Sequence, residues 1–161
     1  MRHYSPSLIA NAFLYKAKDS GVKMTHMKLQ KLVFFVHAWS LAINDQSMVS
    51  EKPEAWQYGP VFDSLYHELK QHGSNFVDKF LVQMNSETGE RQALVPAFND
   101  KKFWALLDQV WDRYSKLTAM QLSALTHESG GPWETARQKS SGWLDDNEVA
   151  THYKHQLTNA K

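Results

Sequence analysis

The sequence predicts a mainly α fold with a small β element (α+β): a compact helical domain around one buried central helix, with a β-hairpin. Three observations carry this. Apolar residues recur at helical spacing along most of the chain. Residues 27–43 are apolar nearly all round, the pattern of a helix that is buried rather than one lying on a surface. Finally, Phe80–Met84 and Gln92–Val95 flank the wholly polar stretch Asn85–Glu90, which contains Gly89 and reads as a hairpin with its tip in water.

The elements follow in order. Ser5 and Pro6 start a first helix, because a hydroxyl can accept from the orphan amides and proline costs nothing at the first position. Ile9, Ala12, Phe13 and Ala17 share its inner face, and Gly21 stops it. Thr25 caps the central helix, which runs to about Ile43 and whose only wet flank is expected to carry Lys28, Lys31 and Ser40. After a polar loop to Pro53, Ala55–Tyr58 predicts a brief strand. Gly59-Pro60 ends it and opens a third helix with Phe62, Leu65, Tyr66 and Leu69 inward and Gly73 as stop. Asn99 or Asp100 caps a fourth helix with Phe103, Leu107, Val110, Trp111 and Tyr114 inward. Thr118 and Gln121 form a capping box for a fifth, Gly130-Gly131-Pro132-Trp133 starts a sixth, and Asp145 with Glu148 caps a last helix burying Val149 and Tyr153.

With 161 residues the chain is expected to be one domain over 1–161, its core at about 8–155 and its tail frayed beyond His155. A chain of that length can bury roughly 70 % of its unfolded surface. Eighteen Lys+Arg against seventeen Asp+Glu give a net charge of +1, which supplies no basic field for nucleic acid. The absence of cysteine excludes disulfides, thiolate metal sites and cysteine nucleophiles. The longest apolar run, Leu32–Val36, is five residues against the ~20 of a membrane span, and the N-terminus lacks a secretory apolar segment. The expectation is a soluble cytoplasmic protein with no membrane partner.

Eight histidines raise the question of metal or catalysis. His152 and His155 lack a third ligand nearby and read as a solvated tail; His67 and His72 read as surface residues. His37 reads as a neutral core imidazole with one partner. His127-Glu128 does not open a His-Glu-x-x-His motif, since position 131 is glycine and Gly-Gly-Pro breaks the helix the ligands require. No nucleophile elbow, phosphate loop or dinucleotide fingerprint is present. Spacing leaves a dispersed Ser-His-Asp triad open, so a hydrolase using His127 and Glu128, or His37, stands as the enzymatic alternative. The expectation is no enzyme, no metal and no cofactor. A helix-turn-helix over 8–43 is disfavoured because its second helix is too apolar for a groove of DNA, and Lys23, Lys28 and Lys31 are balanced by acids elsewhere.

The informative features are two aromatic Gly-Pro corners, Trp56-Gln57-Tyr58-Gly59-Pro60-Val61 and His127-Glu128-Ser129-Gly130-Gly131-Pro132-Trp133. Their rings can fill a core or anchor a partner, and tryptophan and tyrosine often do both. Together with Leu29–Phe35, Trp39, Glu54–Val61, Tyr66-His67-Glu68 and Leu125–Trp133, they make the sequence resemble the Panacea domain, in matching order from about Ile9 to Tyr153.

That resemblance implies an antitoxin: a helical domain with a small β element that binds and neutralises a protein toxin encoded beside it. It also implies a second mechanism, an adaptor that hands the toxin to an ATP-dependent protease. Some relatives carry an N-terminal DNA-binding domain; only eight residues precede Ile9 here, so no operator binding is expected. Function then lives at an interface. The candidate contact or signature residues are Trp56, Tyr58, Gly59, Pro60 and Tyr66 at the first corner, Phe80, Val82 and Met84 on the hairpin, and His127, Gly131, Pro132 and Trp133 at the second corner.

Overall fold

The computed structural model describes residues 1–159. It runs α1 Pro6–Ser20, α2 His26–Asn44, β1 Glu54–Trp56, β2 Gly59–Val61 and α3 Asp63–Leu69, the last prolonged by a 3-10 turn at Lys70–His72. Then follow β3 Gln83–Met84, β4 Arg91–Gln92, α4 Lys101–Tyr114, α5 Ala119–Thr126, α6 Pro132–Gln138 and α7 Asp146–Asn159. The architecture is mainly helical with two small antiparallel hairpins, β1–β2 and β3–β4.

Helix starts fall where side-chain oxygens can take up orphan amides. Ser5 Oγ accepts from the Leu8 N–H, Thr25 Oγ1 from Lys28 and Asp100 Oδ1 from Phe103. Thr118 and Gln121 complete a reciprocal capping box at 3.1 and 2.8 Å. Asp145 Oδ1 accepts from the Glu148 N–H at 3.0 Å.

The centre of the molecule is α2, which packs against α1, α4, α5, α7 and β2. Every residue from Lys28 to Ala42 is buried. Phe35 lies flat on Tyr114 with ring centroids 4.0 Å apart, and Trp39 Nε1 donates to Tyr114 Oη at 2.8 Å. Tyr153 from α7 stands edge-on to Phe34, Phe35 and Trp39. Pairs of this kind add roughly 0.5–1.5 kcal/mol each beyond their area. His37 is buried as expected: its Nδ1 lies 2.7 Å from Ser47 Oγ, and its Nε2 lies 3.4 Å from Asp146 at the start of α7. This brings a serine, a histidine and an aspartate together, yet the imidazole is 1 % exposed and closed in by Phe34 and Phe62. Ser47 Oγ, moreover, caps the Val49 N–H at 2.9 Å. The arrangement pins α7 to α2 and offers a substrate no approach.

The structure departs from the sequence expectations at six places. The supposed wet flank of α2 is buried, with Lys28, Lys31 and Ser40 at 8, 1 and 0 % exposure. Each polar end finds a partner on a neighbouring element: Lys28 Nζ on the Ser115 carbonyl after α4, Lys31 Nζ on the Pro60 carbonyl of β2, and Ser40 Oγ on the Met48 N–H. Conversely Ile43, assigned to the buried helix, is half-exposed at its end. Gly59-Pro60 does not open a helix. Both belong to β2, with Trp56 opposite Gly59 and Ala55 opposite Pro60, and α3 begins only at Asp63. The outer side of β1 is bridged by Gly142–Leu144, so Pro60 lies on the edge strand of the pair, where a missing N–H is tolerated.

The second hairpin is thinner than its sequence suggested, pairing only Gln83 with Gln92 and Met84 with Arg91. Its arms are held instead by buried Asn11 of α1, which accepts from the Leu81 N–H and donates to the Leu81 and Leu94 carbonyls. The last helix extends past His155 to Asn159, with Gln156 Nε2 donating to Glu128 Oε2 at 3.1 Å. Ala160 and Lys161 lie outside the described residues. Nor is His152 a solvated tail residue: its Nε2 lies 3.0 Å from Glu128 Oε2, so the loop before α6 is tied to α7.

Candidate functional site

The two Gly-Pro corners, far apart in sequence, meet in space. Trp133 Nε1, in the first turn of α6, donates to the Trp56 carbonyl at 2.7 Å, and Arg137 Nη1 donates to the Ala55 carbonyl at 3.1 Å. From α5, Ser123 Oγ donates to the Tyr58 carbonyl at 2.7 Å. From α2, the Gln30 amide brackets Phe62, accepting from its N–H at 2.9 Å and donating to its carbonyl at 3.1 Å. The β1–β2 corner is therefore held by its backbone, with Ala55, Pro60 and Val61 buried and Gln57 and Tyr58 exposed at its turn.

Gly59 is the pivot. Its φ is +114°, a region that side chains rarely adopt, and a Cβ there would come 2.8 Å from Thr126 Oγ1 and 3.0 Å from Lys31 Cε. Glycine is required on both counts. The signature Tyr58-Gly59-Pro60 therefore marks a close approach of strand, α2 and α5.

Between α2, this corner and α3 lies a groove of about 390 Å³. Met27, Trp56, Tyr58, Val61 and Tyr66 line it, with Gln30 and Lys31 among the polar residues at its floor. The Trp56 ring is half-buried, set edge-on to Tyr66 at 4.8 Å, and its Nε1 donates to Glu54 Oε2. Tyr66 in turn packs on His26 at 5.1 Å. Tyr58 projects furthest, at 61 % exposure. Burial pushes the Lys31 amine down to about 8. The His26 imidazole is lowered by burial and then by Lys31 and His72.

The second corner supports the groove from behind. His127 stacks on Trp133 with centroids 3.8 Å apart, and its pKa is lowered by burial and by Lys31. Glu128 turns away from it toward His152 and Gln156 of α7, so His127 and Glu128 do not converge on a common point. The backbone N–H of Gly131 donates to the Glu128 carbonyl at 3.0 Å, and an added Cβ would come 3.0 Å from that oxygen. Pro132 is buried at the start of α6.

Of the candidates named from sequence, Trp56, Tyr58, Gly59, Pro60 and Tyr66 are thus brought together at one groove, with His127, Gly131, Pro132 and Trp133 behind it. Phe80, Val82 and Met84 are not part of it. Phe80 is half-buried beside α1, while Val82 and Met84 are exposed on the β3–β4 hairpin. Sequence reasoning missed Lys31, Gln30, Ser123 and Thr126. The signal for Lys31 was present: a helix apolar nearly all round has no wet flank, so a lysine on it must be buried. Among the described residues, no group of three His, Asp or Glu side chains could hold a metal ion, and no helix is long and apolar enough to cross a membrane.

The family model described as "Antitoxin SocA-like, Panacea domain" matches residues 29–134, from α2 through both corners into α6. "Antitoxin SocA" of Caulobacter vibrioides (strain NA1000 / CB15N) is 28 % identical over 126 residues, covering 78 % of this chain and 66 % of the relative. The matched region is therefore just under two thirds of that relative's length. No solved structure gives a significant match.

Proposed function

Because this chain belongs to the antitoxin SocA-like, Panacea domain family, we propose that it neutralises a protein toxin, encoded by the adjacent gene, by direct contact in the cytoplasm. The contact surface is the groove at the joined corners, with Trp56, Tyr58 and Tyr66 as anchors. The observation that carries this is the way the corner is held: four side chains from α2, α5 and α6 bond its backbone, so its rings are positioned before a partner arrives. Preorganised aromatic anchors are what give standard interfaces of ~1,600 Å² their affinity. The family relationship points to a non-enzymatic role, and His37, His127 and Glu128 are each engaged in packing or helix anchoring.

A second reading has its own observation. Val82 and Met84 form an exposed apolar face on a hairpin that contributes nothing to the groove. An adaptor that delivers the toxin to an ATP-dependent protease needs such a second face. Co-expression of the chain with the adjacent gene's product tests both. Restored growth with co-purification of the pair supports neutralisation by contact. Rescue that requires the protease moves the reading to the adaptor, and rescue without any complex contradicts both.

A further inference from the structure

Lys31 lies at the floor of the groove, and among the described residues its ammonium has no counter-ion. It is 1 % exposed, and Nζ donates to the Pro60 carbonyl at 3.0 Å. Among the described residues it takes part in no ion pair. Nor, among the described residues, does any Asp or Glu line the groove. The titratable groups that sense Lys31 are His26 and His127, which could only add to the positive charge, and His72 stands close to His26. Burial has pushed the amine to about 8, which leaves it mostly protonated at neutral pH. A buried cation is ordinarily paired with an anion and fully hydrogen-bonded; this one has a single carbonyl and two N–H donors to spare.

We propose that the groove receives an acidic side chain of the toxin, its carboxylate on the Lys31 ammonium and an apolar neighbour against Met27, Trp56 and Tyr66. This rests on the reading of neutralisation by contact. Charge complementarity decides the occupant. A lysine or arginine would meet a cation of its own sign, and a wholly apolar segment would cover the ammonium and leave it unpaired. A carboxylate gains a charge-assisted bond in a desolvated site, where such bonds are strongest. The volume, about 390 Å³, lies at the small end of the range for ligand sites, which suits one or two side chains and not a whole helix.

The test measures the affinity of the toxin from the adjacent gene for the wild-type chain and for Lys31→Met. Each Asp and Glu of the toxin is also replaced by its amide. The expected result is a loss of at least tenfold for Lys31→Met and a similar loss for one toxin variant. Combining the two should add little, as for partners in a double-mutant cycle. If no single acid-to-amide change weakens binding to the wild-type chain tenfold, the proposal is overturned, and that arm does not depend on Lys31→Met folding. It is equally overturned if the coupling traces to the toxin's terminal carboxylate, or if folded Lys31→Met binds within twofold of wild type. A wild-type chain that forms no complex overturns the neutralisation reading itself, and this proposal with it.

Discussion

The indole N–H of Trp133 donates to the carbonyl of Trp56 across 2.7 Å, joining the first turn of α6 to the last residue of β1. The two residues are 77 positions apart, and through this bond the two Gly-Pro corners become one structural unit. The donor matters more than the ring's bulk, because Trp133 is only half-buried and already stacked on His127. Trp133→Phe keeps an aromatic ring and removes the donor. The expected cost is about 0.5–1.5 kcal/mol, the net value of one hydrogen bond. It is read as a lower midpoint in denaturant, with the slope unchanged.

Gly59 and Gly21 both have positive φ, at +114° and +74°, but their surroundings differ. Gly21 has nothing within 4 Å of an added Cβ, whereas Gly59 faces Thr126 Oγ1 and Lys31 Cε. Gly21→Ala should therefore cost only the left-handed backbone penalty, about 1–2 kcal/mol. Gly59→Ala adds overpacking to backbone strain and should cost on the order of 2–5 kcal/mol. Thermal unfolding of the two variants side by side checks the difference; equal costs would show that the corner can relax.

Much of this arrangement is legible in the chain. The caps at Ser5, Thr25, Asp100, Thr118 and Asp145 are local, since oxygen and amide lie within three residues of each other. The burial of α2 follows from apolar residues on every face. What was not legible depends on partners distant in sequence. The burial of Lys31 could be read from its helix, but not its partner, since the Pro60 carbonyl that holds it lies 29 residues on. Gly59-Pro60 carries a helix-start signal, yet antiparallel pairing with β1 overrides it. Phe80–Met84 and Gln92–Val95 have strand composition, but Asn11 takes the backbone groups of Leu81 and Leu94 and so limits the ladder. The corners were visible as motifs; that they meet was not, because nothing local encodes a bond between Trp133 and Trp56.

Lys31 also predicts a pH dependence. Its pKa is about 8 in the folded protein against 10.5 for the unperturbed amine, so between those values the unfolded chain binds more protons. Stability then rises with pH above about 8, since it increases wherever the unfolded state holds the extra proton. His26 and His127 near the amine, both lowered by burial, are neutral in that range. Lys28, also lowered by burial, adds to the rise. Above about pH 10 the trend reverses, because burial holds Tyr114 and Tyr153 protonated while their unfolded counterparts ionise. Chemical denaturation from pH 7 to 10 should show the rise in wild type and a shallower one in Lys31→Met. Identical slopes would mean that the amine is not desolvated.

The central claim, that the groove at the joined corners is where the toxin is bound, is tested most directly through Tyr58. Its side chain is 61 % exposed and its backbone carbonyl, not its ring, accepts the bond from Ser123. Tyr58→Ala should therefore leave stability within ~0.5 kcal/mol, as surface changes do. The measurement is calorimetric titration of the toxin into wild type and into Tyr58→Ala. The account predicts tight binding to wild type and at least a tenfold weaker constant for the variant, about 1.4 kcal/mol or more. Equal affinities for the two proteins would contradict it.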